Sequence, residues 1–428
     1  MLAKDEFPNF LDNLVLKKEE EMLTTYKGVV TKLNQVYWES DSDKDNARQV
    51  GSYGRATAID GISDLDMLFN LPNDLFEQYD EHEGNGQSAL LQNVRMALLE
   101  KYPKSDIKAD GQVVVFNHSD YIIEIVPCFL QEDGKYKHPD TNDGGSWVIA
   151  DPVSEMTAID DLDSKSGNVL RNLCKMTRAW KNRNGVLIGG FLIDTLAYNF
   201  ITEKTEFHNI DFENYSKLCR DFFDFLANQK DEQEYWLAPG SMKRVYKGGN
   251  FTAKAKKAEK RCDDAIEKDG QESARVLWKR VFGRQFPNKK VLEKSFNERV
   301  FRNSEEFIED RFPINIQDSL TINASLTQDG FRTALLRSFS ILKSKYSIDF
   351  FIESTSVKHP YELYWKVLNI GHEAEKRDMI RGQILKDEGK EVRSEVSSFK
   401  GEHIVEAYIV RNGFVVARDT IPVNIDNF

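Results

Sequence analysis

Residues 51–69 read GSYGRATAIDGISDLDMLF. A Gly-rich turn opens this stretch, and the apolar strand DLDMLFNL closes it. Side chains on a strand alternate faces, so Asp64 and Asp66 point the same way. Two carboxylates side by side repel unless a cation or proton lies between them. Mg2+ is a hard cation that takes such oxygens and keeps substrate phosphates in its shell. The turn suits the other partner. Gly51 lets backbone approach a phosphate closely, Ser52 and the amides after it can donate to phosphate oxygens, and Arg55 adds a charge-assisted donor.

Two metal ions about 3.5–4 Å apart need a further acid. A β-hairpin downstream supplies one. QVVVF and YIIEIVPCF are β-favouring runs joined by Asn117-His118-Ser119-Asp120. Glu124 is the one charge among the apolar residues of the second run. A lone acid there either ligates something or faces solvent. A Gly-Ser pair or an Asp-x-Asp alone says little, since both occur in ordinary turns and solvated strand ends. Their succession, with an acid in a later hairpin, points to metal-dependent phosphoryl chemistry.

Working outward, residues 10–38 have the apolar spacing of one helix. A helix is expected over about 88–101 and two over 165–202. The run 254–282, KAKKAEKRCDDAIEKDGQESARVLWKRVF, suggests one long exposed helix. Its lysines read as a solvated face. Beyond about 340, DFFIEST, YELYWKVLNIG, DMIRGQIL, EVRSEVSSF, HIVEAYIV and FVVARDTIPVNI are short β-like runs between turns. Asn412-Gly413 marks a hairpin between the last two. This end reads as a small all-β domain, a sandwich or half-barrel.

The chain has 428 residues, enough for two to four domains, and 27 Phe, 15 Tyr and 6 Trp exclude disorder of the whole. A net charge of −12 argues against a protein that coats nucleic acid. Cys128, Cys174, Cys219 and Cys262 form no C-x-x-C pair, which excludes a zinc ribbon and suggests reduced thiols in the cytoplasm. The most apolar stretch, VLIGGFLIDTLAYNFI (186–201), carries Asp194 and Asn199 and is shorter than the roughly 20 residues of a membrane span. It reads as a buried helix, and no secretory signal opens the chain.

The stretch 51–69 resembles the signature of the DNA polymerase β-like nucleotidyltransferases, in particular the CD-NTases, bacterial relatives of cyclic GMP-AMP synthase and oligoadenylate synthase. YIIEIVPCF, WVIADP and LRNLCKMTRAWKNRNG match the same family. The tail, through YWKVLNIG, MIRGQI and HIVEAYIVRNG, resembles the AGS-C sensor domain fused to such synthases. The resemblance implies an α+β fold: a mixed-sheet nucleotidyltransferase core with an N-terminal spine helix (1–160), a helical lobe (161–305) and a β-rich sensor domain (340–428).

It also implies an enzyme. Asp64, Asp66 and Glu124 would be catalytic and would hold two Mg2+ ions, with Mn2+ as the alternative metal. Gly51, Ser52 and Arg55 would bind the triphosphate, together with a basic residue on the helix Leu170–Asn182. Arg178 fits that position best, and Lys175 lies one turn earlier. The substrates would be ribonucleoside triphosphates and the product a cyclic di- or trinucleotide messenger for a downstream effector in anti-phage (CBASS) signalling. The sensor domain would take a ligand of unknown kind, and neither a membrane nor direct nucleic-acid binding is expected. A non-cyclising transferase acting on RNA, protein or a small acceptor is the alternative, followed by a nucleotide-binding module without chemistry. The chain departs from the family in two places: its third acid is Glu where Asp is commoner, and Gly189-Gly190-Phe191 stands where a phosphate-binding Ser is frequent. Tyr246 and Phe191 are candidates to stack on a base.

Overall fold

A computed structural model of the chain describes residues 2–61, 64–118, 121–287, 305–328, 333–336, 341–343, 345–369, 382–397 and 400–426. Ser119 and Asp120 of the hairpin loop and the first half of the run DMIRGQIL (378–381) lie outside the described residues. The chain divides into two compact units.

The first unit comprises Met1–Ala179 and Ile188–Pro287. It opens with helices α1 (Ala3–Asn13) and α2 (Glu19–Tyr37). The sequence suggested a single helix here. The break at Leu14 is tertiary in origin: the Leu14 carbonyl accepts the Asp60 amide at 2.9 Å, and the Asp60 carboxylate accepts the Lys17 amide. Next come β1 (Ala47–Gln49), the four-residue helix α3 (Gly51–Gly54) and β2 (Asp64–Asn70). Helices α4 (Asp74–Asp80) and α5 (Gly86–Lys101) lead into β3 (Asp106–Asp110), β4 (Val113–Asn117) and β5 (Ile122–Leu130). Strands β6 (Tyr136–Asp140) and β7 (Ser146–Ala150) complete a mixed sheet with the path β1-β2-β5-β4-β3, to which β6 adds through β5. Strands β2 and β5 are parallel and β4 and β5 antiparallel, the latter as the hairpin reading expected.

One face of this sheet is sealed by apolar side chains. Leu65, Met67, Phe69, Ile123 and Ile125 pack with Val29, Val30 and Leu33 of α2 and Leu90, Leu91 and Val94 of α5. The alternate residues of β2 and β5, including Asp64, Asp66 and Glu124, therefore lie on the opposite, half-buried face.

The helical part holds α6 (Pro152–Ser166), α7 (Val169–Asn184), α8 (Gly190–Glu203) and α9 (Tyr215–Ala227). Asp151 caps α6 through the Ser154 amide, with Pro152 in the first turn, which explains the local sequence ADP. A hairpin of β8 (Tyr235–Leu237) and β9 (Arg244–Tyr246) precedes α10 (Thr252–Glu267) and α11 (Glu272–Phe282). The sequence suggested one exposed helix for this last region. Gly270, at φ +82°, ends it between the two, and both helices bury a face through Cys262, Trp278 and Phe282. Among the described residues no helix is long and apolar enough to cross a membrane.

The second unit comprises Trp180–Leu187 and the chain from Asn288 onward. Its first described strand, β10 (Leu320–Thr327), lies upstream of the expected start at 340. Strands β11 (Ala334–Leu335), β12 (Ser347–Thr355), β13 (Glu362–Asn369), β14 (Ile384–Lys386), β15 (Val392–Val396), β16 (Gly401–Arg411) and β17 (Phe414–Ile425) follow. They form two four-stranded antiparallel sheets, β11-β10-β12-β15 and β14-β13-β16-β17. Ile322 and Phe350 of one share a core with Trp365, Val405, Ala407 and Val423 of the other, so the unit is a sandwich. Asn412 and Gly413 both have positive φ, 52° and 82°, as a tight hairpin requires.

Charge is buried in this sandwich. Glu406 is 1% exposed and pairs with Arg183, with Lys366 at 3.7 Å and with Arg418 at 3.9 Å. Tyr408 also donates to it. Burial pushes the Glu406 carboxyl up, but Arg183, Lys366 and Arg418 outweigh it and hold the group well below the usual carboxylate range. Such a group adds stability above its unfolded value of about 4.3, and that stability is lost as pH falls. Glu406→Gln takes from Arg183 its carboxylate partner among the described residues, while Lys366 keeps Glu305 at 2.8 Å and Arg418 keeps Glu309 at 2.9 Å. Calorimetry is expected to show a loss of about 3–5 kcal/mol at pH 7, with the gap from wild type narrowing below pH 4.

Candidate active site

The acids come together through strand register. Asp66 pairs with Glu124 across the parallel strands β2 and β5, and Asp64 pairs with Ile122. Registered residues of neighbouring strands share a face, about 4.8 Å apart along the sheet. Asp64, Asp66 and Glu124 thus form an open row. Among the described residues no three His, Cys, Asp or Glu side chains already close around a point as a metal cage.

The row is electrostatically unfavourable by itself. Burial, then Asp64 and Glu124, push the Asp66 carboxyl up to about 7, with Arg55 opposing. Burial, then Asp64, push Glu124 up to about 7. An all-oxygen donor set that holds protons this strongly in the absence of a cation fits a hard divalent ion.

Helix α3 lies directly against the row. The Val50 amide donates to the Asp66 carbonyl at 2.9 Å, which ties the turn to β2. Gly51 has φ +62°, and a Cβ there would sit 1.6 Å from the Asp66 carboxylate. Both conformation and space require glycine. The first amides of a helical turn have no intrahelical acceptor, so Gly51 and Ser52 offer donors beside the acids.

The basic residues divide into two kinds. Arg178 is 2% exposed and grips Asp194 with both nitrogens, Nη1 to Oδ1 at 2.5 Å and Nη2 to Oδ2 at 2.8 Å. Its Nη2 also donates to the Gly190 carbonyl. Arg55 is 6% exposed, donates from Nε to Asp194 Oδ2 at 2.8 Å and lies 4.4 Å over the Phe191 ring. Both side chains, which the sequence expected to face a triphosphate, are buried: Asp194 takes both terminal nitrogens of Arg178 but only Nε of Arg55. Burial by itself raises the Asp194 carboxyl, yet Arg178 and then Arg55 bring it down to about 2. Lys175 is different. It is half-buried and no carboxylate pairs with it among the described residues. Burial, then Arg171, lower its ammonium pKa.

Of the two stacking candidates, Phe191 is covered by Arg55, while Tyr246 is 60% exposed on the β8–β9 hairpin. A cavity of about 770 Å³ opens beside that hairpin, lined by Tyr198, Asn199, Tyr235, Trp236 and Met242 among others. The sequence missed Asp194 as a site residue. Its signal was an acid inside an otherwise apolar helical run.

Family models match part of each unit. Residues 1–163 match the Second Messenger Oligonucleotide or Dinucleotide Synthetase (SMODS) domain, and residues 302–426 match the Adenylyl/Guanylyl and SMODS C-terminal (AGS_C) sensor domain. The chain is a CD-NTase with an AGS-C domain. No curated protein matches it. Among solved structures, the CdnC:HORMA-deltaN complex of E. coli MS115-1 aligns with a TM-score of 0.50 at 15% identity, covering 67% of this chain and 98% of that one. CdnG of Bradyrhizobium diazoefficiens, in complex with GTP, gives 0.48 at 11%, covering 65% and 95%. DncV of Vibrio cholerae, a cyclic AMP-GMP synthase, gives 0.43 at 14%, covering 67% and 87%. The first likeness bears on the fold alone. The SMODS match makes this CD-NTase a nucleotidyltransferase, a cyclic oligonucleotide synthase.

The acid row predicts how the metal-free CD-NTase responds to pH. A folded value raised above the unfolded one gives most stability below the unfolded value of about 3.9, and that stability is lost as pH climbs through about 7. Asp66→Asn is therefore expected to raise the melting temperature in EDTA at pH 8 and to leave it little changed at pH 4.

Proposed function

We propose that this CD-NTase condenses ribonucleoside triphosphates into a cyclic di- or trinucleotide in a metal-dependent reaction, and that the product is a second messenger in bacterial anti-phage signalling. The observation that carries the reading is the Asp66–Glu124 register, with Asp64 on the same face and Gly51 packed on Asp66. Asp64, Asp66 and Glu124 would hold Mg2+ or Mn2+, as two ions. When bound, these ions supply Lewis acidity to the phosphate and its attacking hydroxyl and neutralise the departing pyrophosphate.

The chain's own groups do the rest. The Ser52 hydroxyl and the amides of its turn donate to the triphosphate, and Lys175 places a cation on it. Glu124, beside the attacking 2′- or 3′-hydroxyl, accepts its proton. That oxygen attacks the α-phosphate of the other nucleotide, and pyrophosphate leaves. The linear product turns round, and its free hydroxyl closes the ring on the remaining α-phosphate. The aromatic and amide groups lining the 770 Å³ cavity suit a planar base. The AGS-C domain is a sensor by its family description, and we assign it the control of this reaction by a ligand. An effector that binds the cyclic product acts downstream.

Incubation with the four ribonucleoside triphosphates and Mg2+ or Mn2+, phosphatase treatment and mass spectrometry test the reading. A phosphatase-resistant cyclic oligonucleotide is expected, absent without metal and absent in Asp64→Asn. A linear product attached to an added RNA or protein would replace the proposal with the non-cyclising alternative.

The two basic residues of α7 are expected to separate. Lys175→Ala should alter stability by no more than about 0.5 kcal/mol and lower turnover by about tenfold or more. Arg178→Met should cost about 3–5 kcal/mol in folding, because it strips Asp194 of its bidentate partner. Urea titration and pyrophosphate release measure both.

A further inference from the structure

Asp194 lies at the meeting point of the two sides of the proposed triphosphate site. It is fully buried in α8. Its two oxygens accept from Arg178 Nη1 and Nη2, Arg55 Nε and, at 3.1 Å, Thr57 Oγ1. These donors lead in two directions. Arg55 ends the Gly51–Gly54 turn, and the Thr57 amide donates to the Ser52 carbonyl at 2.9 Å. Arg178 stands one helical turn after Lys175 on α7, a spacing that shares a face. One carboxylate therefore holds the Ser52 turn and the Lys175 helix in a fixed relation.

We propose that Asp194 is a positioning residue for nucleotidyl transfer. It never touches substrate. It acts through Arg55 and Thr57 on Ser52, and through Arg178 on Lys175, so that the donors from the turn and the cation from the helix converge on one triphosphate. Misplacing such groups by about 1 Å can lower a rate by about 10²-fold. The two arginines also keep a surplus positive charge buried behind the acid row, and Asp194 limits that surplus to one.

The inference rests on the reading given under Proposed function, and its test has one arm that depends on turnover and one that does not. Both use the full chain. In Asp194→Asn, kcat for pyrophosphate release is expected to fall at least tenfold while KM changes less than threefold, at temperatures where the variant remains folded. A kcat within twofold of wild type, or a change in KM alone, overturns the proposal.

The second arm is amide hydrogen exchange. In Asp194→Asn the amides of residues 51–57 should exchange at least tenfold faster, with those of α11 unchanged. Acceleration spread evenly over both segments would mean that Asp194 only stabilises the fold, and the proposal fails. Should wild type release no pyrophosphate from any triphosphate, the functional reading fails, while this exchange arm still decides whether Asp194 fixes the turn. Should Asp194→Asn not fold, Thr57→Val tests the same link without leaving a charge unpaired. An exchange rate at 51–57 within threefold of wild type then counts against it.

Discussion

Mutual repulsion among three carboxylates is the constraint around which the first unit is arranged. Parallel pairing of β2 and β5 sets Asp66 beside Glu124 and keeps Asp64 on the same face. The opposite face of the same strands is packed with Leu65, Met67, Ile123 and Ile125, so no acid can turn away without exposing core. Close apposition of like charge costs free energy, and the row is stable only because strand pairing and the apolar face hold it. Compensation is built around it. Gly51 brings backbone donors to one side, and Arg55 opposes the charge on Asp66.

The division of labour among the cations follows from the same electrostatics. Arg55 and Arg178 are buried, and a buried charge must be paired. Asp194 pairs them. Lys175 sits on the same helix, and among the described residues no carboxylate pairs with it. Two arginines thus share one buried carboxylate, and the lysine one turn away does not.

The strands, their pairing as a hairpin and the three acids were legible in the sequence because period-two alternation is local. DLDMLFNL and YIIEIVPCF state their own faces. The destination of the arginines was not legible. Arg55 and Asp194 are 139 residues apart, and no local pattern ties them. Helix breaks were missed for a similar reason: α1 and α2 part where Asp60 reaches back to Leu14. Strand β3 (DIKAD) is polar, and β10 (LTINASLT) mixes small polar residues into its run, so neither has the apolar alternation of the strands that were read. In the second unit the Asn412-Gly413 turn was readable because both residues tolerate positive φ. The buried charges around Glu406 were not, since Arg183 lies 223 residues away.

All four cysteines are buried. Burial pushes the thiols of Cys128, Cys174, Cys219 and Cys262 up, away from the reactive thiolate. Oxidants and alkylating agents attack thiolates that solvent reaches, and the folded chain presents none. Peroxide and thiol-directed electrophiles therefore find no reactive cysteine on the folded chain, and covalent control of this synthase through a thiol is closed off.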